Sequence, residues 1–348
     1  MKTGKALLLL VVGLLLPAGT GCRSTAAPPS ALSGSSSAVQ EAPADNSSVQ
    51  EAIDVELAFP GYARKAVTFS YDDGCIQDRR LTALFREYGL KATFNLYSAC
   101  FGESTRIHHG GFELDYSKIA EDEVAALYEG FEVASHTRHH YALRSLDDAT
   151  VLEEIASDRQ ALAALTGYAI DGMAYPGGVY DSHVRDLAEQ SGVLYARTIN
   201  ETKSTALPED FYQWHPTAHD SDPALPGIVD RFLTSSGKEL RLLYIWGHSF
   251  ELDKEGGARW NNLQNLCESL AGRSDVWYAD NRSICRYVHA LRQYEREGIN
   301  RSDMTLYGFA GENPVSAAPG HRSALKPANR ADTAARFVFK RFRTGAYS

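Results

Sequence analysis

The sequence predicts a single α/β domain whose strands and helices alternate around a closed or nearly closed parallel barrel. Three observations predict it. From about Lys65 onward, short apolar runs alternate with amphipathic stretches. Glycines stand where the helices should stop, and reactive side chains fall just past the ends of the strands. The 348 residues suffice for one large domain with tails, and a hydrophobic fraction of 44% is that of an ordinary globular protein.

Residues 66–71 read as the first strand and 79–88 as a helix stopped by Gly89. Residues 92–96 form the next strand. A helix over 122–129 closes at Gly130 and leads into a strand at 131–134. Ser145 or Asp147 can cap a helix that runs to Thr166 and ends at Gly167. Strands follow at 172–175, 193–198, 240–246 and 276–279, with helices at 182–190, 262–270 and 284–296. Roughly seven strands alternating with helices require parallel pairing through crossovers. The stretch 200–236 is long and irregular, which predicts a functional loop insertion.

The two ends have a different composition. Lys2 and Lys5 precede an apolar run at 7–16, too short to span a bilayer comfortably. Gly19-Thr20-Gly21-Cys22 then resembles a bacterial lipoprotein lipobox, which implies export and a lipid on Cys22; ordinary signal cleavage is the alternative. Residues 24–48 are rich in Ser, Ala and Pro, as in a flexible tether. The expected organisation is a signal peptide over 1–22, a tether over 23–58, a catalytic domain over 59–300 and a poorly ordered basic tail over 301–348. Export permits disulfides among Cys75, Cys100, Cys267 and Cys285. Nearest-neighbour pairing, Cys75–Cys100 and Cys267–Cys285, is the expectation, with buried thiols as the other reading. No CxxC is present, which argues against a cysteine zinc site. The net charge of −9, with no basic stripe before the C-terminus, excludes a phosphate-tracking surface, so no nucleic-acid partner is expected. Contact with a membrane is expected only through a lipid anchor on Cys22.

Asp72 and Asp73 follow the first strand and His136 the third, Tyr175 and Pro176 end the fourth, Arg197 sits near the end of the fifth, and His248 follows the sixth. In a parallel barrel these ends share one face, where active sites are built. In Ser135-His136-Thr137-Arg138-His139-His140, histidines at i and i+4 would meet on one face of a helical turn and suit a divalent ion. His139 offers a competing pair with His136. Two adjacent carboxylates in Tyr71-Asp72-Asp73-Gly74 can divide labour between a metal and a proton, with Gly74 permitting the tight turn. An Asp-rich turn is the bland reading. His248 is either a packed core residue or a titratable acid.

Taken in order, TFSYDDG (68–74), SHTRHH (135–140), AYPGG (174–178) and the late His248 resemble the polysaccharide deacetylase family, the NodB-homology group of carbohydrate esterases. The resemblance spans roughly residues 60–295. It implies a distorted (β/α)7-type barrel that hydrolyses N-acetyl groups of a polysaccharide or peptidoglycan. It further implies Asp73, His136 and His140 as ligands of a divalent metal, with zinc suited to that set. Asp72 becomes the general base and His248 the acid that protonates the departing amine. The metal and the backbone N–H of Tyr175 would stabilise the oxyanion. This sequence departs from the family at two places. Met173 and Ala174 stand where an arginine usually orients the base, and Arg197 on the next strand is the substitute to test. No clean Asp/Trp motif backs His248; Trp214, Asp220 and Asp222 are candidates, with Trp214 also a candidate substrate residue. These departures keep two alternatives open: an O-acetyl esterase or non-sugar amidase on the same fold, and an inactive glycan-binding envelope protein.

Overall fold

The computed structural model describes residues 57–297. The expected signal peptide, Cys22, the expected tether up to residue 56 and the expected basic tail lie outside the described residues. Strand β1 (Lys65–Asp72) leads through α1 (Asp78–Glu87) to β2 (Ala92–Leu96), then a hairpin of β3 (Arg106–His109) and β4 (Phe112–Asp115). Next come α2 (Val124–Leu127), β5 (Glu132–Ser135), α3 (Asp148–Thr166), β6 (Gly172–Ala174), α4 (Ser182–Gln190) and β7 (Tyr195–Arg197). After a long connection follow β8 (Ala218–His219), α5 (Leu225–Thr234), β9 (Arg241–His248), α6 (Ala258–Leu270), β10 (Val276–Tyr278) and α7 (Asn281–Glu297).

The sheet runs β7-β6-β5-β2-β1-β9-β8, every pair parallel. β1 pairs with β9 along its whole length. Its other edge is divided: β10 takes Lys65–Val67 and β2 takes Phe69–Asp72. Both faces of β1 are buried, its polar residues Lys65, Thr68, Ser70 and Asp72 included. Val67, Phe69 and Tyr71 pack outward with α1, α5 and α6, while Ala66 joins an inner core with Leu242, Tyr244 and Tyr195.

The sheet curls until its two edges share one segment. Trp214 N–H donates to Ala196 O at 3.0 Å and Thr198 N–H to Trp214 O at 3.1 Å, beside β7. Three residues on, Thr217 N–H donates to Tyr244 O at 2.8 Å, and β8 pairs with β9. The expected distorted (β/α)7 architecture is therefore present, with a seventh position filled differently from the expectation. The short β8, inside the supposed loop insertion, takes that position, and β10 stands off the main path. Helix α5 also lies within that stretch, with Pro226 in its first turn.

Asp147 caps α3 by accepting from Thr150 N–H at 3.0 Å, and Gly167 closes it at φ 76°. The expected disulfides are absent: all four described cysteines are buried thiols. Cys267 belongs to the outer core and Cys285 to the inner one, while Cys100 directs its S–H at Tyr97 O and Cys75 sits against Lys118.

Candidate metal centre and active site

β1 ends where Asp73 (φ 82°) and Gly74 (φ 61°) both turn left-handed. A side chain on Gly74 would start 2.9 Å from Leu96, so the turn needs glycine twice over. Asp73 N–H donates to Asn95 O at 3.0 Å and His136 N–H to Leu96 O at 2.7 Å. The C-terminal end of β2 thereby fixes the first residue past β1 and the first past β5. Asp72 faces the interior on β1, in register with Asn95 and with His248.

Asp73 Oδ1 lies 3.7 Å from both His136 Nε2 and His140 Nε2. That oxygen is buried and has no hydrogen-bond partner among the described residues. His136 Nδ1 donates to Ala174 O at 2.9 Å, which leaves Nε2 as the free lone pair facing Asp73. Burial holds the His136 imidazole down at about 4 against the pull of Asp72, so it is neutral at ordinary pH, as a ligand must be. Burial raises Asp73, but His248, Lys118, His136 and His140 outweigh it and hold the carboxyl at about 2. An orphaned carboxylate oxygen facing two imidazole nitrogens fits a divalent ion.

The histidines do not meet on a helical turn, as the i, i+4 spacing predicts. Residues 136–140 form an irregular loop in which Thr137 (φ 62°) and His140 (φ 58°) are left-handed. The loop is over-determined from beneath. Ser135 Oγ donates to Asp158 at 2.6 Å, Thr137 N–H donates to Ser135 Oγ at 3.1 Å, and Arg138 N–H donates to Glu154 O at 3.0 Å. His139 turns away: its ring and its N–H both bond the Glu154 carboxylate, at 2.6 and 2.9 Å. His140 is therefore the partner of His136.

Asp72 is 2% exposed and bonded on both oxygens. Asn95 Nδ2 donates to Oδ1 at 2.8 Å, and Arg197 Nη2 pairs with Oδ2. Burial pushes this carboxyl up, yet Arg197, His136 and His248 together bring it below its ordinary value. Arg197, itself fully buried, packs over the Trp246 ring with its guanidinium 4.8 Å from the centroid. A guanidinium from β7 thus clamps the Asp72 carboxylate. His248 stands on the opposite side, its Nε2 3.9 Å from Asp72 Oδ2.

Two expectations for the substrate side are overturned. The Tyr175 N–H donates to Arg197 O at 3.0 Å as part of the sheet, so it is not an oxyanion donor; its hydroxyl bonds Tyr212 O. Trp214 is 1% exposed, enclosed by Tyr195, Phe211 and Tyr244, where it closes the barrel. It lines a cavity of about 350 Å³ with Leu242 and Tyr244 that none of the metal-cluster residues lines. Asp222 bonds Lys203 and the Ala224 N–H, as a surface turn residue. Asp220 is nearer: it accepts from Tyr71 Oη at 2.8 Å and lies 3.1 Å from His219 Nδ1. Besides Asp72, the acidic neighbour of His248 is Glu251, whose Oε2 is 4.0 Å from Nδ1.

Sequence reasoning missed Asn95, Lys118, His219 and Glu251. Asn95 is a polar residue in an apolar strand, one position short of its end, and the strand-end rule applied to β2 would have found it. Lys118 is 4% exposed, with its ammonium 3.3 Å from the Tyr116 ring, and no spacing signals it.

The fold and the cluster define a class: a parallel α/β barrel with an Asp/His/His cluster that could hold a metal ion, beside a second buried carboxylate. Residues 61–196 match the family model described as polysaccharide deacetylase, and the resemblance to the NodB-homology group holds over that span. No curated protein matches the chain. Among solved structures, an allantoinase aligns with 68% of this chain and 94% of its own, at TM-score 0.51 and 17% identity. The family 4 carbohydrate esterase of Streptomyces lividans, in complex with acetate, aligns with 60% of this chain and 92% of its own, at TM-score 0.38 and 16% identity. The Streptococcus pyogenes deacetylase, also with acetate, aligns with 38% of this chain, at TM-score 0.33 and 19% identity, and the match spans only 55% of that protein.

Proposed function

We propose that this chain is a metal-dependent hydrolase that removes acetyl groups from N-acetylated amino sugars of a polysaccharide or peptidoglycan. The observation that carries the reading is the unpartnered Asp73 Oδ1 facing two imidazole nitrogens, beside a second carboxylate clamped by Arg197. Asp73, His136 and His140 hold the ion, with zinc the natural choice for that donor set. When bound, it supplies positive charge that polarises the acetyl carbonyl and acidifies water. Asp72 takes the proton from the attacking water, and Arg197 and Asn95 keep that carboxylate ionised and aimed. His248, across from Asp72, gives its proton to the nitrogen as the C–N bond breaks.

Export and a lipid on Cys22 would place the domain at the periplasmic or cell surface, where such glycans are found. The test is acetate release from acetylated chitooligosaccharide and from peptidoglycan, before and after chelation. Full activity after the metal is stripped would sink the proposal. Release from O-acetylated but not N-acetylated substrates would transfer the same machinery to an esterase, and no release from either would favour a glycan-binding protein.

A further inference from the structure

We propose a second divalent-metal site, formed by His219, His248 and Glu251, whose occupation inhibits the enzyme. These residues share none with the first centre, and their ligand atoms all lie within 4.8 Å of one another. Glu251 Oε2 is 3.1 Å from His219 Nε2 and 4.0 Å from His248 Nδ1. A tetrahedral zinc with bonds near 2 Å spaces its ligands by roughly 3.3 Å, so small side-chain adjustments close the triangle.

The far side of two of the three ligands is already fixed. His219 Nδ1 bonds Ser221 Oγ at 2.8 Å and faces Asp220 at 3.1 Å, which leaves Nε2 directed at Glu251. Glu251 Oε1 is held by Lys254 Nζ at 2.8 Å and His109 Nε2 at 2.6 Å, which leaves Oε2 directed at His219. His248 Nδ1 is buried and has no hydrogen-bond partner among the described residues. Two imidazoles and a carboxylate form a donor set used by catalytic zinc.

This site fills after the first one. Lys254, His109 and His219 already pair with Glu251, whereas Asp73 Oδ1 has no hydrogen-bond partner among the described residues and faces two imidazole nitrogens. Inhibition, which rests on the hydrolase reading, follows from the geometry of His248. Its Nε2 faces Asp72 and its Nδ1 faces Glu251. An ion on Nδ1 takes the lone pair that a second proton would need. The ring then cannot become the imidazolium that donates to the leaving amine.

The experiment titrates Zn²⁺ into the full, chelator-stripped chain by calorimetry, with metal analysis and acetate release on the same samples. Two equivalents are expected in separate steps. Activity should rise through the first and fall by about 10²-fold through the second, the usual worth of a general acid. His219→Gln and Glu251→Gln should each erase the second step and keep the first, and His219→Gln should erase the inhibition. Asp73→Asn should lose the first step instead. A single equivalent in the unaltered chain, or a second step that survives both Gln variants, overturns the site. Two equivalents with no deacetylation of any substrate would sustain the site and remove the hydrolase reading.

Discussion

Asp72 and Asp73 are neighbours in the chain with opposite surroundings, and the difference underlies the roles proposed for them. Both oxygens of Asp72 are bonded, to Asn95 and Arg197, while Asp73 keeps one oxygen bare. Asp72→Asn should therefore cut turnover by about 10²–10⁴-fold and leave the zinc stoichiometry of the first centre unchanged. Loss of metal along with activity would mean that the two carboxylates act together as ligands. Arg197→Ala should move the acidic limb of the kcat/KM profile upward by roughly one pH unit. Burial alone raises Asp72, and Arg197 is the largest opposing influence. With it gone, the base becomes protonated at a higher pH. Arg197→Lys, which keeps the charge but not the fork, guards against mistaking misfolding for this effect; a limb that stays put in both variants would contradict the assignment. Asp72, Asp73, His136 and His140 were legible because strand-end position and motif order pointed to the same residues. Tyr175 and Trp214 were misread because sequence cannot show that a backbone N–H is already bonded in the sheet or that an indole is enclosed.

Elements whose residues pack locally were easy to read, and those defined only by distant partners were not. Helix α4 matches its expected bounds, and α3 begins just after Asp147, one of its two expected caps, since periodicity and caps are local. β8 has two residues and exists only because Ala218 and His219 pair with Ile245 and Trp246. The β3–β4 hairpin, which carries His109 to Glu251, turns on Gly110 and Gly111, a signal the sequence did contain. The HxxxH spacing suggested a helical turn, but the bonds from Ser135, Asp158 and Glu154 beneath the loop win over it. Close packing between β9 and the segment after β8 yields a prediction. A Cβ at Gly247 would stand 2.7 Å from Asp220 Oδ2, and that oxygen is held by Tyr71. Gly247→Ala should cost about 1–3 kcal/mol in urea unfolding. Gly89→Ala meets nothing within 4 Å, so any loss there comes only from its left-handed backbone (φ 65°) and serves as the comparison.

At the scale of the whole barrel, the polar interior makes folding depend on pH from two directions. His136 and Asp73 are held below their ordinary values, so their contributions are present above the unfolded pKa and are lost as pH falls. Burial instead pushes Asp78, Glu132 and Asp158 up to about 7, against their hydrogen bonds. For these three, stability is complete below the unfolded value, about 4, and is lost as pH rises toward 7. None was legible beforehand: Asp158 lies on α3 in a run that reads as solvated, and only the closed sheet reveals that Ser98 and Ser135 enclose it. Asp158→Asn isolates its share. The amide oxygen can still accept from the Ser98 N–H, and its NH₂ can donate to Ser135 Oγ, so the loop carrying His136 keeps its support. The shift from 3.8 to about 7 corresponds to roughly 4 kcal/mol at most. Metal-free Asp158→Asn should therefore lose less stability than the unaltered chain between pH 4 and pH 7 in urea unfolding, while its loss below pH 4 stays the same. Parallel curves over the whole range would show that Asp158 is ionised in the folded barrel and that Arg138, or water, carries its charge.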